Sequence, residues 1–153
     1  MKFSPFTTLQ QIQAWLRQHA DTGVDCPACT QRVQVYRRKV NSGMARSLIA
    51  MYTVGGRDWI HLPTQIGARS REEGKLAYWG LVEEEKTKRP DGGRAGYWRV
   101  TARGEEFVKC RLSIPKYARV YNGRVLGFDT TTLVTIKDAL GDKFDYAELM
   151  AGR

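Results

Sequence analysis

Two groups of residues in this chain have types and spacing suited to chemistry. The first is "DCPACT", where Cys26 and Cys29 stand in C-x-x-C around Pro27-Ala28. Two thiolates on one tight turn bring their sulfurs into a single coordination sphere, the donor geometry of a zinc knuckle. A structural zinc takes four ligands, and the chain has no second C-x-x-C. His19, His61 and Cys110 are the candidates to complete it, His19 being nearest, or two chains share one ion through paired turns. Thr30 stands where a Gly often follows such a turn. A buried, reduced thiol pair is the plainer reading of the same residues. A redox pair is the third, although no strand rich in Val, Ile or Leu leads into the turn.

The second group is basic. In "SREEGKLAYWG" the spacing predicts a helix over 70–80, opened by a capping box between Ser70 and Glu73 and closed by Gly80. Arg71, Lys75 and Tyr78 then fall at i, i+4 and i+7 on one stripe, while Leu76 and Trp79 turn the other way, toward Ile66. Arg69 sits just ahead of the helix. Downstream, "LVEEEKTKR" and "YWRV" predict a β-ribbon around "PDGGRAG", whose tip carries Lys88, Arg89 and Arg94 among Gly92, Gly93 and Gly96. Lysine, tyrosine and backbone N–H groups suit phosphates. The plainer reading of the stripe is a solvated face. Glu72 and Glu73 in the first turn, and Glu83 to Glu85 on the ribbon, oppose an anionic ligand.

The distribution of charge favours such a ligand. The chain of 153 residues has a formal charge of +9. Residues 30–120 hold 19 basic against 9 acidic side chains, an excess of ten, and the flanking segments are near neutral. A basic balance of this kind favours anionic partners without saying anything of the fold. Hydrophobic content of 42% supplies a core. No stretch approaches the roughly 18 apolar residues of a membrane span. The opening "MKFSPFTTLQQIQAWLRQ" has no continuous apolar core, so no secretory signal is expected. An odd cysteine count argues against a secreted disulfide scaffold and for a reducing, cytoplasmic setting.

An enzyme is not expected. Neither histidine lies near a Ser or Cys nucleophile motif, and "PDGGRAG" lacks the Lys-Ser/Thr end of a phosphate-binding loop. Glu105-Glu106 are sequence neighbours that diverge on a helix, and Asp142, Asp145 and Glu148 read as a solvated acidic face.

The remaining elements must position these groups. "TTLQQIQAWLRQHADTG" predicts a first helix, capped by Thr7 or Thr8, with Leu9, Ile12, Leu16 and His19 on one face. Val33 and Val35 alternate as a short strand. Asn41 or Ser42 opens a second helix with Met44, Leu48, Met51 and Tyr52 as its apolar stripe and Gly55-Gly56 at its end. "DWIHL" predicts a short strand, Pro63 the first turn of a short helix, and "TARGEEFVKCRL" a helix with Cys110 as a core residue. Asn122-Gly123 gives the positive φ angles of a type I′ hairpin turn. "TTLVTIKDALG" predicts a helix through Leu133, Ile136 and Leu140, and "FDYAELM" a last short one.

From 43 to 110 the order helix, strand, helix, helix, strand, loop, strand, helix resembles the winged helix-turn-helix domain of bacterial regulators of the MarR and PadR kinds. "LAYWGLVEEE", "KRPDGGRAG" and "YWRVTARGEEF" carry the resemblance, the last through a Thr-x-x-Gly junction. It implies a winged helix over 43–112; with an N-terminal helix and Cys turn over 1–42 and a C-terminal hairpin and helices over 113–153, an α+β fold in three parts is expected. The resemblance further implies a recognition helix at 70–80, with Arg71 at a base edge and Arg69, Ser70, Lys75 and Tyr78 near phosphates, and a wing laying Lys88, Arg89 and Arg94 along the backbone. The expected function is double-stranded DNA binding of a regulatory kind, in a build that suits a phage or prophage accessory protein. The alternative is a non-enzymatic protein-interaction module that binds a host or replication component. The long dimer-building helices usual in those families are missing, so dimerisation and palindromic recognition do not carry over.

Overall fold

A computed structural model of the chain describes residues 2–67, 72–87, 89–92 and 96–152. It is a mixed α+β protein with small antiparallel sheets. The chain forms two compact units, each discontinuous in sequence: Met1–Arg38 with Ala118–Phe128, and Lys39–Tyr117 with Asp129–Arg153.

In the first unit, helix α1 (Leu9–His19) starts at Thr8, whose hydroxyl accepts from Gln11 N–H while the Gln11 side chain accepts from Thr8 N–H. The two bonds satisfy orphan donors reciprocally, as a capping box does. Ile12, Leu16 and His19 are half-buried along the expected face, together with Trp15. Leu9 departs from it: it lies in the first turn, 69% exposed. Strands β1 (Val24–Asp25) and β2 (Arg32–Val33) pair across the Cys turn. The strand expected to alternate through Val35 stops at Val33, because Val35 N–H donates instead to Ala20 O at 2.8 Å. A separate polar strand, β3 (Tyr36–Lys39), follows.

The second unit is built on α2 (Ser42–Gly55), capped by the Asn41 side chain on Met44 N–H. Its Met44, Ala45, Leu48, Ile49 and Met51 are buried, and a run of short elements follows it in the chain. These are β4 (Ile60–His61), α3 (Leu62–Gln65), a 3-10 helix (Glu73–Trp79), β5 (Val82–Glu84), β6 (Tyr97–Val100) and α4 (Ala102–Val108). Strands β4, β6 and β5 form one antiparallel sheet in that order.

Strands β7 (Ile114–Tyr121) and β8 (Arg124–Val134) join β3 in a sheet of order β3-β7-β8. Asn122 and Gly123, at φ 49° and 73°, make the expected hairpin turn. β8 runs further than expected and absorbs residues 131–134. Leu133, expected on a helix, is therefore a strand residue, 56% exposed. Helix α5 (Ile136–Leu140) begins only where Thr135 and Asp138 form a capping box, and α6 (Tyr146–Met150) ends the chain. Helix α4 likewise stops at Val108. Cys110 lies beyond it, half-buried at φ 61°, rather than inside the core of a helix.

Candidate nucleic-acid interface

The segment after α3 is helical where the sequence predicts it, but as a 3-10 helix. Glu73, Leu76 and Trp79 are its buried residues, a strict spacing of three. Side chains at i and i+3 eclipse in a 3-10 helix, so one buried column takes all three and a second takes Lys75 and Tyr78. The α-helical stripe expected through Arg71, Lys75 and Tyr78 is thus replaced, over its described part, by a Lys75–Tyr78 column. Trp79 fixes the helix by donating from Nε1 to Pro115 O at 2.7 Å. Gly80, at φ 72°, ends it, and its N–H returns to Ala77 O.

Arg69, Ser70 and Arg71 lie outside the described residues, as do Lys88 and Arg94. The three described members of the expected interface are Lys75, Tyr78 and Arg89. Lys75 is half-buried and its Nζ sits 2.7 Å from Glu72 Oε1. Arg89, in the β5–β6 loop, pairs with Asp91 at 3.2 Å, both side chains being well exposed. Each of these cations thus has a carboxylate on its own segment. The exposed Arg89–Asp91 pair is worth about 0–1 kcal/mol, so a phosphate can exchange with Asp91 at little cost. Tyr78 is half-buried, its ring 6.3 Å from that of Trp79.

The acidic residues that argue against an anion are partly disposed of by the same geometry. Glu73 is only 4% exposed and accepts from Ser47 Oγ on α2 at 3.2 Å, so it points inward. Glu83 opposes Arg99 across β5 and β6, and the two form an ion pair. The Arg99 guanidinium also lies 4.4 Å from the Trp59 ring centroid.

Several positioning residues were not foreseen. Thr101 Oγ1 donates to Gly80 O at 2.6 Å and accepts from Gly104 N–H at 3.0 Å, tying the end of the 3-10 helix to the start of α4. Arg103 Nε donates to Trp79 O at 2.9 Å, a charged bond to the carbonyl end of the 3-10 helix. Gly104 faces Leu81 so closely that a Cβ there would stand 2.1 Å from Leu81 O. Together these account for the Thr-x-x-Gly spacing. Arg46, the one charged side chain of α2, is exposed, with its guanidinium 5.0 Å from the Phe144 ring, and adjoins a cleft of about 350 Å³ lined also by Ser47, Gly67 and Glu73. Its isolation in an otherwise uncharged helix was the available signal.

The Cys turn belongs to the first unit. Cys26 N–H donates to Gln31 O and Thr30 N–H to Cys26 O, both at 2.8 Å, which closes the turn. Backbone N–H groups of Cys29 and Ala28 point at the Cys26 sulfur and hold its thiol below the usual range. Cys29 is exposed, so the pair is not the buried one of the plainer reading. His19 donates from Nδ1–H to Trp15 O at 2.8 Å, and His61, in the second unit, contacts Thr64 Oγ1 through its Nδ1. Among the described residues no three His, Cys, Asp or Glu side chains converge as a metal site. None of the described helices is long and apolar enough to cross a membrane.

No protein-family model, curated protein or solved structure matches the chain.

Proposed function

We propose that this chain is a winged-helix protein that binds double-stranded DNA in a regulatory role. In this reading residues 70–78 approach the major groove and the β5–β6 loop lies on the phosphate backbone. The observation that carries it is the β4-β6-β5 sheet. It pairs a short strand between two helices with a two-stranded ribbon, and the ribbon's connecting loop contains Lys86, Lys88, Arg89 and Arg94. That arrangement suits two simultaneous contacts, a helix against base edges and a loop against phosphates. The inward turn of Glu73 and the pairing of Glu83 with Arg99 support it further, because both reduce the negative charge facing a ligand.

Titration of Arg71→Ala and Arg94→Ala variants with duplex DNA tests this reading. Arg71→Ala is expected to weaken binding and change sequence preference, whereas Arg94→Ala weakens it evenly and lowers the salt slope by about one. A second reading, a protein-interaction module, draws on Trp59 and Tyr97, which are 39% and 40% exposed beside β4 and on β6. Loss of a partner on Trp59→Ala, with DNA binding absent in the parent protein, would favour it.

A further inference from the structure

We propose that the Cys26–Cys29 turn is half of a four-sulfur zinc site, completed by the same turn of a second copy of this chain. The turn has the three properties such a half-site needs. It is rigid: antiparallel β1 and β2 enter and leave it, and two backbone hydrogen bonds of 2.8 Å close it. Its sulfurs are brought together by the two-residue spacing of Cys26 and Cys29 on one tight turn, which Thr30 N–H closes on Cys26 O. It is open, with Cys29 exposed and Cys26 only half-buried.

Backbone N–H groups aimed at a sulfur have a specific use at a metal. They disperse the charge that accumulates when several thiolates share one cation, the outer-shell role that hydrogen bonds play around metal ligands. Thr30 adds a second mark. It holds φ 65°, a conformation uncommon for a β-branched residue that tends to collect at functional sites.

The second copy follows from ligand number. Zinc in a structural site takes four ligands, and one turn offers two. Among the described residues no third His, Cys, Asp or Glu converges with them. Two identical turns related by a twofold axis give a tetrahedral set of four sulfurs, and a twofold contact of identical patches is the commonest way for a chain to close on itself. The four-thiolate cluster would carry two negative charges, which offsets repulsion between two chains of charge +9 each.

The test uses the full chain, purified reduced and metal-free, and titrated with Zn²⁺ alone. Native mass spectrometry and light scattering read stoichiometry and mass. The expected result is one zinc per two chains, with a shift from monomer to dimer that a chelator reverses. Cys26→Ser and Cys29→Ser should each abolish both effects, and Cys110→Ser neither. Cys29 is exposed, so circular dichroism of its variant should match the parent. Co²⁺ in place of Zn²⁺ should give a tetrahedral thiolate spectrum lost in the same variants. One zinc per monomer, zinc retained by Cys29→Ser, or a reduced protein that ignores Zn²⁺ would each overturn the proposal.

Discussion

Replacing Gly104 by alanine sets two effects of opposite sign against each other. In an exposed helix interior, alanine is more favourable than glycine by about 1 kcal/mol. In α4, however, the new Cβ would stand 2.1 Å from Leu81 O and 2.8 Å from Val100 Cγ1. An ordinary C···O approach is roughly 3.3 Å, so the two segments must part by about 1 Å. Leu81 O cannot simply swing aside, because it accepts from Thr101 N–H at 3.0 Å. Overpacking costs about 1–3 kcal/mol and a strained hydrogen bond about 1 kcal/mol more, so after the helix gain the net loss is roughly 2 kcal/mol. For a chain of this length that corresponds to a fall in Tm of about 4–8 °C. Urea unfolding followed by tryptophan fluorescence measures it as a lower midpoint at unchanged slope. Gly127→Ala is the control: nothing lies within 4 Å of a Cβ there, and its stability should stay within about 0.5 kcal/mol of the parent. A Gly104→Ala protein as stable as the parent, or more so, would refute the close approach of α4 to Leu81.

Three further outcomes are expected. Thr101→Ala removes the α4 cap and the donor to Gly80 O, and should cost about 1–2 kcal/mol in the same urea assay. Burial, helped by Cys110 and Tyr52, pushes the Tyr146 phenol from 10.0 up to about 12, and its hydroxyl donates to Val108 O at 2.7 Å. The neutral phenol is the form the fold favours. Its contribution is therefore complete below pH 10.0 and lost as pH rises through about 12, and an ultraviolet titration should show one tyrosine ionising late in the parent but not in Tyr146→Phe. Lys75→Ala and Arg89→Ala, measured by DNA titration across salt concentrations, should each flatten the salt dependence by about 0.9; an unchanged slope would remove that residue from the interface.

Local signals in the sequence were enough for several elements in both units. Asn41 as cap, Pro63 at a helix start, Gly80 as a stop and Asn122-Gly123 as a turn each act through their own backbone geometry, and each is found in that role. Elements decided by packing were harder to see. Thr131, Thr132 and Val134 carry β-branched side chains that suit strand and helix start alike, and pairing in β8 settles the choice. The 3-10 helix was legible in the spacing of three between Glu73, Leu76 and Trp79, but a buried glutamate breaks the apolar pattern on which helix periodicity rests. Leu9 sits in an exposed first turn that nothing local distinguishes from a buried one. At the candidate interface the sequence supplied the basic residues and their elements. It could not supply Ser47 as the partner of Glu73, because a contact between residues 26 apart depends on side-chain approach rather than on spacing.

The most direct test of the proposed function is fluorescence anisotropy of labelled duplex DNA titrated with the protein at two salt concentrations, with single-stranded DNA and RNA alongside. If residues 69–94 meet the phosphates, log K should fall with log salt at a slope of about −3 to −5, and duplex binding should outlast excess non-specific competitor. Absence of binding near physiological salt, or binding that competitor removes entirely, would contradict the winged-helix reading and leave the basic face to a protein partner or to solvent.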